Sequence, residues 1–115
     1  MIWFNLPDMN QNRLEQLIKF YEEDPNDPFL AYGLALEYQK TDVKKSEQLF
    51  DRLLEGFPEY LPAYYQSAKL KATLGKGTSA INIYQNGIAL AKKQNDSSTE
   101  RELQSAYNEL MFEME

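Results

Sequence analysis

Two stretches decide the fold of this 115-residue chain, because the second repeats the first: Asp24-Pro25 to Tyr32-Gly33-Leu34-Ala35, and Phe57-Pro58 to Tyr65-Gln66-Ser67-Ala68. The two copies lie 33 residues apart, and beyond Ala68 the offset becomes 34 because one residue is inserted at Gly75-Lys76-Gly77. An insertion among glycines is typical of a turn. A repeat of this length predicts an array of helical hairpins, in which each hairpin buries its apolar face against the next.

The repeat continues through the second half of each hairpin. With the longer offset, Ala80 aligns with Ser46, Tyr84 with Phe50, Gly87 with Leu53 and Ile88 with Leu54. The apolar residues of both copies recur at helical spacing. We therefore expect an all-α fold of about six antiparallel helices.

The limits of these helices follow from local signals. Asp8 with Gln11 predicts the start of the first helix, Asp27-Pro28 that of the second, and Ser97 with Glu100 forms a capping-box pattern before the last. We expect one domain over residues 1–115, divided into an N-terminal arm (1–7), a lone return helix (8–24), repeat 1 (25–57), repeat 2 (58–95) and a capping helix (96–115). In that last helix, Glu102, Glu109 and Glu113 are expected on the outer, polar side.

The composition excludes much of enzymology. The chain has neither cysteine nor histidine, so it lacks disulfides, thiolate metal sites and imidazole acid–base chemistry. The densest carboxylate cluster, Glu22-Glu23-Asp24 with Asp27, lacks the ligand spacing of a calcium loop and is read as a solvated helix end. We expect a protein that is not an enzyme and that needs no cofactor or metal. No apolar run is long enough to span a bilayer, so neither a membrane segment nor a membrane partner is expected, and the default location is the cytoplasm.

Charge is unevenly distributed along the chain. Residues 1–27 hold six acids and two bases, and residues 96–115 hold six acids and one base, whereas residues 60–95 hold five lysines and no acid. The basic second hairpin either attracts an acidic peptide, pairs with an acidic terminus of another copy, or pairs locally with the acidic last helix. A net charge of −6 with no basic stripe disfavours nucleic acid as a partner.

The N-terminal segment Met1-Ile2-Trp3-Phe4-Asn5-Leu6-Pro7 is apolar but too short to form an element of its own. Two interpretations remain open. The segment folds back over the apolar stripe of the first helix, or it marks a surface for self-association, because an exposed patch holding Trp3 and Phe4 is unusual on a monomer.

The repeated residues resemble the tetratricopeptide repeat. The resemblance rests on the period, on Ala35 and Ala68 in the first helix of each hairpin, on Ala80 with Tyr84 in a return helix, and on Pro25 and Pro58 at the hand-overs. It covers roughly residues 12 to 94 and implies two complete repeats in a right-handed superhelix. Departures from the motif are Ala31 and Tyr64 at the signature tryptophan position, Lys71 at a later tyrosine position, and Gly87 inside a return helix.

This resemblance implies a binding surface. In tetratricopeptide-repeat proteins the first helix of each hairpin lines a concave groove, which here corresponds to Phe29, Tyr32, Leu36, Gln39, Pro62, Tyr65, Gln66, Lys69 and Ala72. The alternative is that Tyr32 and Tyr65 simply pack against a neighbouring helix. The family's carboxylate clamp is disfavoured, because Tyr32 and Leu36 occupy its lysine and asparagine positions and only Gln66 and Lys69 remain to substitute.

We therefore expect a non-catalytic module that binds a segment of a protein or peptide partner in this groove. The alternative is a homo-oligomeric structural module, a homo-dimer for example, that docks through its terminal helices or its N-terminal arm. The partner itself is not encoded in any recognisable motif.

Overall fold

The computed structural model describes residues 9–115, with side chains from residue 12 onward. This part of the chain forms six α-helices and no strand, which confirms the all-α prediction: α1 Met9–Glu23, α2 Pro28–Tyr38, α3 Val43–Gly56, α4 Pro62–Thr73, α5 Gly77–Lys93 and α6 Ser97–Glu113. The chain divides into two compact units between Leu53 and Leu54. The arm 1–7 and the predicted cap at Asp8 lie outside the described residues.

The first unit contains α1, α2 and the larger part of α3. Asp27 caps α2 as predicted: its side-chain Oδ1 accepts a hydrogen bond from the backbone N–H of Phe29 at 2.9 Å, and Pro28 occupies the first helical position. Helix α2 packs against α1. The hydroxyl of the fully buried Ser46 on α3 donates to the backbone oxygen of Ala35 at 2.7 Å, which ties α3 to α2 at a point where Ala35 is also fully buried.

The second unit is built around α5, which packs against α4 on one side and α6 on the other. Its core consists of buried apolar side chains from all three helices and from the turn before α4: Leu61, Tyr64, Ala68, Ala80, Tyr84, Ile88, Ala91, Leu103 and Leu110. Leu103 is completely buried, so α6 covers the apolar face of α5. The predicted role of the last helix as a cover is consistent with this packing.

Two left-handed residues form the turns of this unit. Gly75 has a φ of +79° and Asn95 a φ of +59°. After each of them, the next N–H bonds back to a carbonyl five residues earlier, Lys76 to Lys71 at 2.8 Å and Asp96 to Ala91 at 2.9 Å. These are the bonds of a Schellman motif, which satisfies the last carbonyls of a helix. The glycine-containing insertion therefore lies in a turn, as predicted.

The capping box predicted at Ser97 and Glu100 is wrong. The cap of α6 is Asp96, whose Oδ1 accepts from the backbone N–H of Thr99 at 3.0 Å while Oδ2 accepts from its hydroxyl at 2.8 Å. These two hydrogen bonds lower the pKa of Asp96. The cap lies one residue before the predicted Ser97. The physical reason is that the left-handed Asn95 ends the connection from α5, so that the carboxylate of Asp96, and not the hydroxyl of Ser97, lies next to the free N–H groups at the start of α6.

Gly87 departs from the repeat motif because three helices meet there. It is buried in α5, and a Cβ atom at this position would lie 2.9 Å from Cβ of Tyr64 on α4 and 3.1 Å from Cδ1 of Leu103 on α6. No side chain fits in that space. The glycine thus permits the close packing of α5 between its two neighbours.

Candidate functional site

The predicted groove residues of the first unit lie on one face of α2. Phe29 is 63% exposed at the start of the helix, and Tyr32, Leu36 and Gln39 follow at helical spacing as half-buried residues. The ring of Tyr32 meets the ring of Phe50 edge-on, with centroids 6.3 Å apart and planes at 64°. This face is therefore partly accessible, and its Tyr32 ring packs against the fully buried ring of Phe50.

In the second unit, three of the predicted residues come together in a cleft. Tyr65, Lys69 and Ala72 form the α4 wall, together with Thr73, and Tyr84 of α5 forms part of the floor. The opposite wall belongs to α6. The cleft has a volume of about 340 Å³. That size accommodates a side chain or two of a partner, near the lower end of the range for ligand pockets.

Two other predicted residues do not line this cleft. Pro62 is exposed at the first position of α4, and Gln66 is half-buried and lies one residue beyond Tyr65, about 100° further around the helix. Neither belongs to the described walls. Their assignment to a binding surface stays a prediction.

Each unit contains an edge-on pair of aromatic rings that joins the first helix of a hairpin to its return helix. The ring of Tyr65 meets that of Tyr84 edge-on at 6.4 Å and 67°, nearly the geometry of Tyr32 and Phe50. Both pairs occupy equivalent positions of the sequence repeat. The repeat thus preserves a supported tyrosine on the first helix of each hairpin. It also shows that each predicted groove tyrosine packs against a return helix, as the alternative interpretation required, while remaining partly accessible.

The sequence did not predict the α6 wall of the cleft, which is formed by Ala106, Glu109, Leu110 and Glu113. Glu109 and Glu113 were expected on the outer, polar side of the last helix; both are solvent-exposed, and both also border the cleft. Ala106, Leu110 and Glu113 share one helical face, with Glu109 beside them. This spacing is visible in the sequence, but it does not say that the face lies opposite Tyr65.

Electrostatics at the cleft floor differ from those of an ordinary tyrosine. Burial, followed by the charges of Tyr65, Glu109 and Glu113, raises the pKa of Tyr84 from 10.0 to about 12. The Tyr84 hydroxyl is therefore neutral at physiological pH. Glu109 and Glu113 are themselves exposed, and they line the same cleft as Tyr84.

The lysines of the second hairpin are partly accounted for by local pairing. Lys92 of α5 lies 4.0 Å from Glu100 of α6, an exposed contact of small energetic value. Lys69, by contrast, is exposed on the α4 wall and makes no ion pair with any residue that the structure describes.

A second depression, of about 290 Å³, lies within the first unit. It is lined by α1, α2 and α3, including Ile18, Tyr38, Leu49 and the cations Lys45 and Arg52. Nζ of Lys45 lies 5.4 Å from the centre of the Tyr38 ring, so two of the lining side chains are joined by a cation–π contact. None of the predicted groove residues belongs to it.

Neither a membrane span nor a metal site is found in the same part of the chain. Between residues 9 and 115, no helix has both the length and the apolar character needed to cross a membrane. Over those residues, no group of three or more acidic side chains lies close enough together to hold a metal ion.

Comparison with known proteins places the chain among solved repeat domains. A tetratricopeptide repeat domain protein from Salinibacter ruber, solved by solution NMR, is 36% identical, with a TM-score of 0.72 over 76% of this chain and 89% of that one. A crystal structure of a tetratricopeptide repeat domain protein from the same organism is 34% identical, with a TM-score of 0.71 over 74% and 97%. No family model matches the chain, and no curated protein does.

A third solved structure extends the likeness to nearly the whole chain. The TPR2B domain of yeast Sti1, solved in a complex with pHsp70, matches 96% of this chain and 89% of its own, with a TM-score of 0.82 and 17% identity. At that identity the likeness concerns the fold alone. The two Salinibacter ruber structures are more than 30% identical to this chain, and the chain has the repeat offsets and the helical hairpins of such domains. The chain therefore belongs to the tetratricopeptide-repeat family.

Proposed function

We propose that this chain is a non-catalytic interaction module that binds a segment of a protein partner in the cleft beside α4, with the face of α2 in the first unit as a second contact surface. The observation that carries the proposal is the cleft of the second unit, where Tyr65, Lys69 and Ala72 face the α6 wall across a floor formed by Tyr84. Three of its residues, Tyr65, Lys69 and Ala72, are ones that the resemblance to the tetratricopeptide repeat assigns to a binding groove. The complex of the structurally similar Sti1 domain with pHsp70 supports the same class of function.

Tyrosine is suited to this task. Its ring adds a large contact area at a small cost in conformational entropy, and its hydroxyl can hydrogen-bond to a partner's backbone. Tyr32 and Tyr65 are each held by an edge-on contact to a buried ring, at 6.3 and 6.4 Å respectively. A side chain that is already ordered loses less freedom when the partner binds.

The experiment uses peptides selected from a phage-displayed random library on the purified chain. We expect Tyr32→Ala and Tyr65→Ala each to weaken binding of a selected peptide by about 1–3 kcal/mol, the range for a truncated aromatic anchor. Phe20→Ala is the matched control, because Phe20 is a half-exposed aromatic residue on α1 outside the proposed surface. The proposal fails if binding survives Tyr32→Ala and Tyr65→Ala combined in a protein that circular dichroism shows to be folded.

The alternative function, assembly into homo-oligomers, is favoured by one observation. At the end of α6, Phe112 is 77% exposed and Met111 and Met114 are 41% and 49% exposed. If these residues join copies of the chain, light scattering will show a dimer that Phe112→Ser converts to a monomer. If the parent protein is a monomer at about 100 μM, a concentration well above the dissociation constants of stable dimers, this alternative is contradicted.

A further inference from the structure

The charge of the second unit's cleft is opposite to the charge expected from its hairpin. Residues 60–95 contain only basic charges, but α6 adds Glu109 and Glu113 to the cleft. The walls therefore carry two carboxylates and one ammonium group, that of Lys69. Neither carboxylate forms an ion pair with any residue that the structure describes.

The two carboxylates are placed to act on one ligand group. They are four residues apart on α6, on either side of the Leu110 position, so they project from neighbouring turns of the same wall. Like charges at this spacing repel each other, and a cation between them would relieve that repulsion. Lys69 lies on the opposite wall and keeps a ligand cation on the α6 side of the cleft.

Tyr84, which lines the cleft, supplies a second polar group there. Tyr84 is 4% exposed, and within the described part of the chain its hydroxyl forms no hydrogen bond. A phenol oxygen has lone pairs that accept a hydrogen bond from an N–H donor. A ligand with several N–H donors on one cationic group would satisfy this hydroxyl and the carboxylates together.

The aromatic rings suit the stem that carries such a cation. Tyr65 stands edge-on to Tyr84 at 6.4 Å and remains partly exposed, so an alkyl chain can lie along its ring. Lysine and arginine bury their methylene stems on apolar surface while their charged ends stay in polar surroundings. An aromatic ring also attracts the cation itself.

We infer that the cleft between α4 and α6 binds a lysine or arginine side chain of a partner segment, with the charged end between Glu109 and Glu113 and the stem against Tyr65. The inference rests on the proposed function, since it names the chemistry of the segment that the module binds. It replaces the acidic peptide that the lysines of the second hairpin suggested. Arginine is the better ligand, because its planar group donates in several directions to carboxylates at once.

The corresponding position of the first unit lacks one of these features. Phe50, which is equivalent to Tyr84 in the repeat, has no hydroxyl, although its ring supports Tyr32 in nearly the same geometry. A basic side chain should therefore be recognised at the second unit and not at the supported tyrosine of the first.

The test uses two capped tripeptides, acetyl-Leu-Arg-Leu-amide and the same peptide with citrulline, which has the shape of arginine without its charge. Each is titrated into the isotope-labelled protein and followed by NMR, which detects binding even at millimolar dissociation constants. We expect the arginine peptide to shift the signals of Tyr65, Tyr84, Glu109 and Glu113, and to bind about ten-fold more tightly than the citrulline peptide. Added salt should reduce this difference.

The matched variants separate local charge from net charge. Glu109→Gln with Glu113→Gln should abolish the preference for arginine, whereas Glu102→Gln with Glu115→Gln, which removes the same charge from positions outside the cleft, should retain it. Equal binding of the two peptides by the parent protein, or a preference that survives in the Glu109→Gln, Glu113→Gln variant, overturns the inference. If the citrulline peptide or a glutamate peptide shifts the cleft signals and the arginine peptide does not, peptide binding stands and only the basic ligand is refuted. If no peptide shifts these signals, both the cleft and the inference are refuted.

Discussion

Gly87 and Tyr64 lie so close together that a Cβ atom on the glycine would be 2.9 Å from Cβ of the tyrosine. Tyr64 is itself held in place, since its hydroxyl donates a hydrogen bond to the backbone oxygen of Pro58 and its side chain is 7% exposed. Because the neighbour is a rigid atom next to the backbone of α4, added volume at Gly87 must displace a helix. The register of α5 between α4 and α6 depends on this absence of a side chain.

Gly87→Ala should therefore destabilise the protein, although alanine is the better helix former. We expect a net loss of about 1–3 kcal/mol in the free energy of unfolding, the usual cost of overpacking a core. Gly33→Ala is the matched control, because Gly33 also lies inside a helix and its added Cβ would meet only Cδ2 of Leu17 at 3.6 Å. That control should gain up to about 1 kcal/mol. Urea denaturation of both variants measures the difference, and equal effects would contradict the close packing at Gly87.

Removal of α6 should cost the second unit its cooperativity. Deletion of residues 97–115 takes away Leu103 and Leu110 and exposes Tyr84, Ile88 and Ala91 of α5 to water. We expect the shortened chain to aggregate or to melt without a sharp transition. If the deletion leaves a monomer as stable as the parent in thermal melting and light scattering, α6 is not a cover and is itself a candidate docking element.

The alkaline stability of the protein should depend on Tyr84. Its pKa is raised to about 12 when folded, from 10.0, so its contribution to stability is complete below pH 10 and is lost as the pH rises toward 12. Tyr84→Phe should make the loss of stability between these pH values less steep, and Phe50 shows that the equivalent repeat position accommodates phenylalanine. The measurement is urea denaturation at a series of pH values from 8 upward.

The Glu109→Gln, Glu113→Gln variant provides the control for this interpretation. It should lower the pKa of Tyr84 without restoring the ordinary value, because burial is the largest cause of the shift and the carboxylates act after it. An NMR titration of the Tyr84 ring follows the change directly. An unchanged pKa in this variant would show that the two carboxylates do not face the cleft floor.

The start of α6 offers a test of its cap. Asp96→Ala should lower the melting temperature more than Ser97→Ala, because Asp96 accepts two hydrogen bonds from Thr99 and Ser97 makes no comparable one among the described residues. Since the pKa of Asp96 is lowered when folded, its contribution is present above the ordinary carboxyl pKa and is lost as the pH falls through the lowered value. The difference between the two variants should thus disappear in strong acid. If Ser97→Ala lowers the melting temperature more than Asp96→Ala at neutral pH, Ser97 and not Asp96 caps α6.

Much of the architecture was predictable because it is written in local rules. The offset of 33 and then 34 residues located both hairpins and the turn between α4 and α5. Asp27-Pro28 was recognised as a cap because that signal is contained in adjacent residues. The cap of α6 was missed by one residue, since the left-handed conformation of Asn95 decides where α5 ends and asparagine permits that conformation without requiring it.

Only the α4 wall of the candidate site could be predicted from the sequence. Tyr65, Lys69 and Ala72 were predicted because the resemblance to the tetratricopeptide repeat assigns the first helix of each hairpin to the binding groove. Glu109 and Glu113 lie outside the repeat, so no second copy indicates which way they face. Their position opposite Tyr65 depends on how α6 packs against α5, and that packing is a contact between residues distant in the sequence.

The sequence by itself determined the helical hairpins, their boundaries to within a residue or two, and the pair of tyrosines at equivalent positions, because helix periodicity and turn chemistry act between near neighbours. Only the tertiary structure decided the charge of the cleft and the reason for Gly87. Both depend on the packing of α5 between α4 and α6, where the side chains of Tyr64 and Leu103 leave no room for a Cβ atom and two carboxylates of α6 line the same cleft as Tyr84. Such contacts join residues that are far apart in the sequence, so local patterns along the chain do not reveal them.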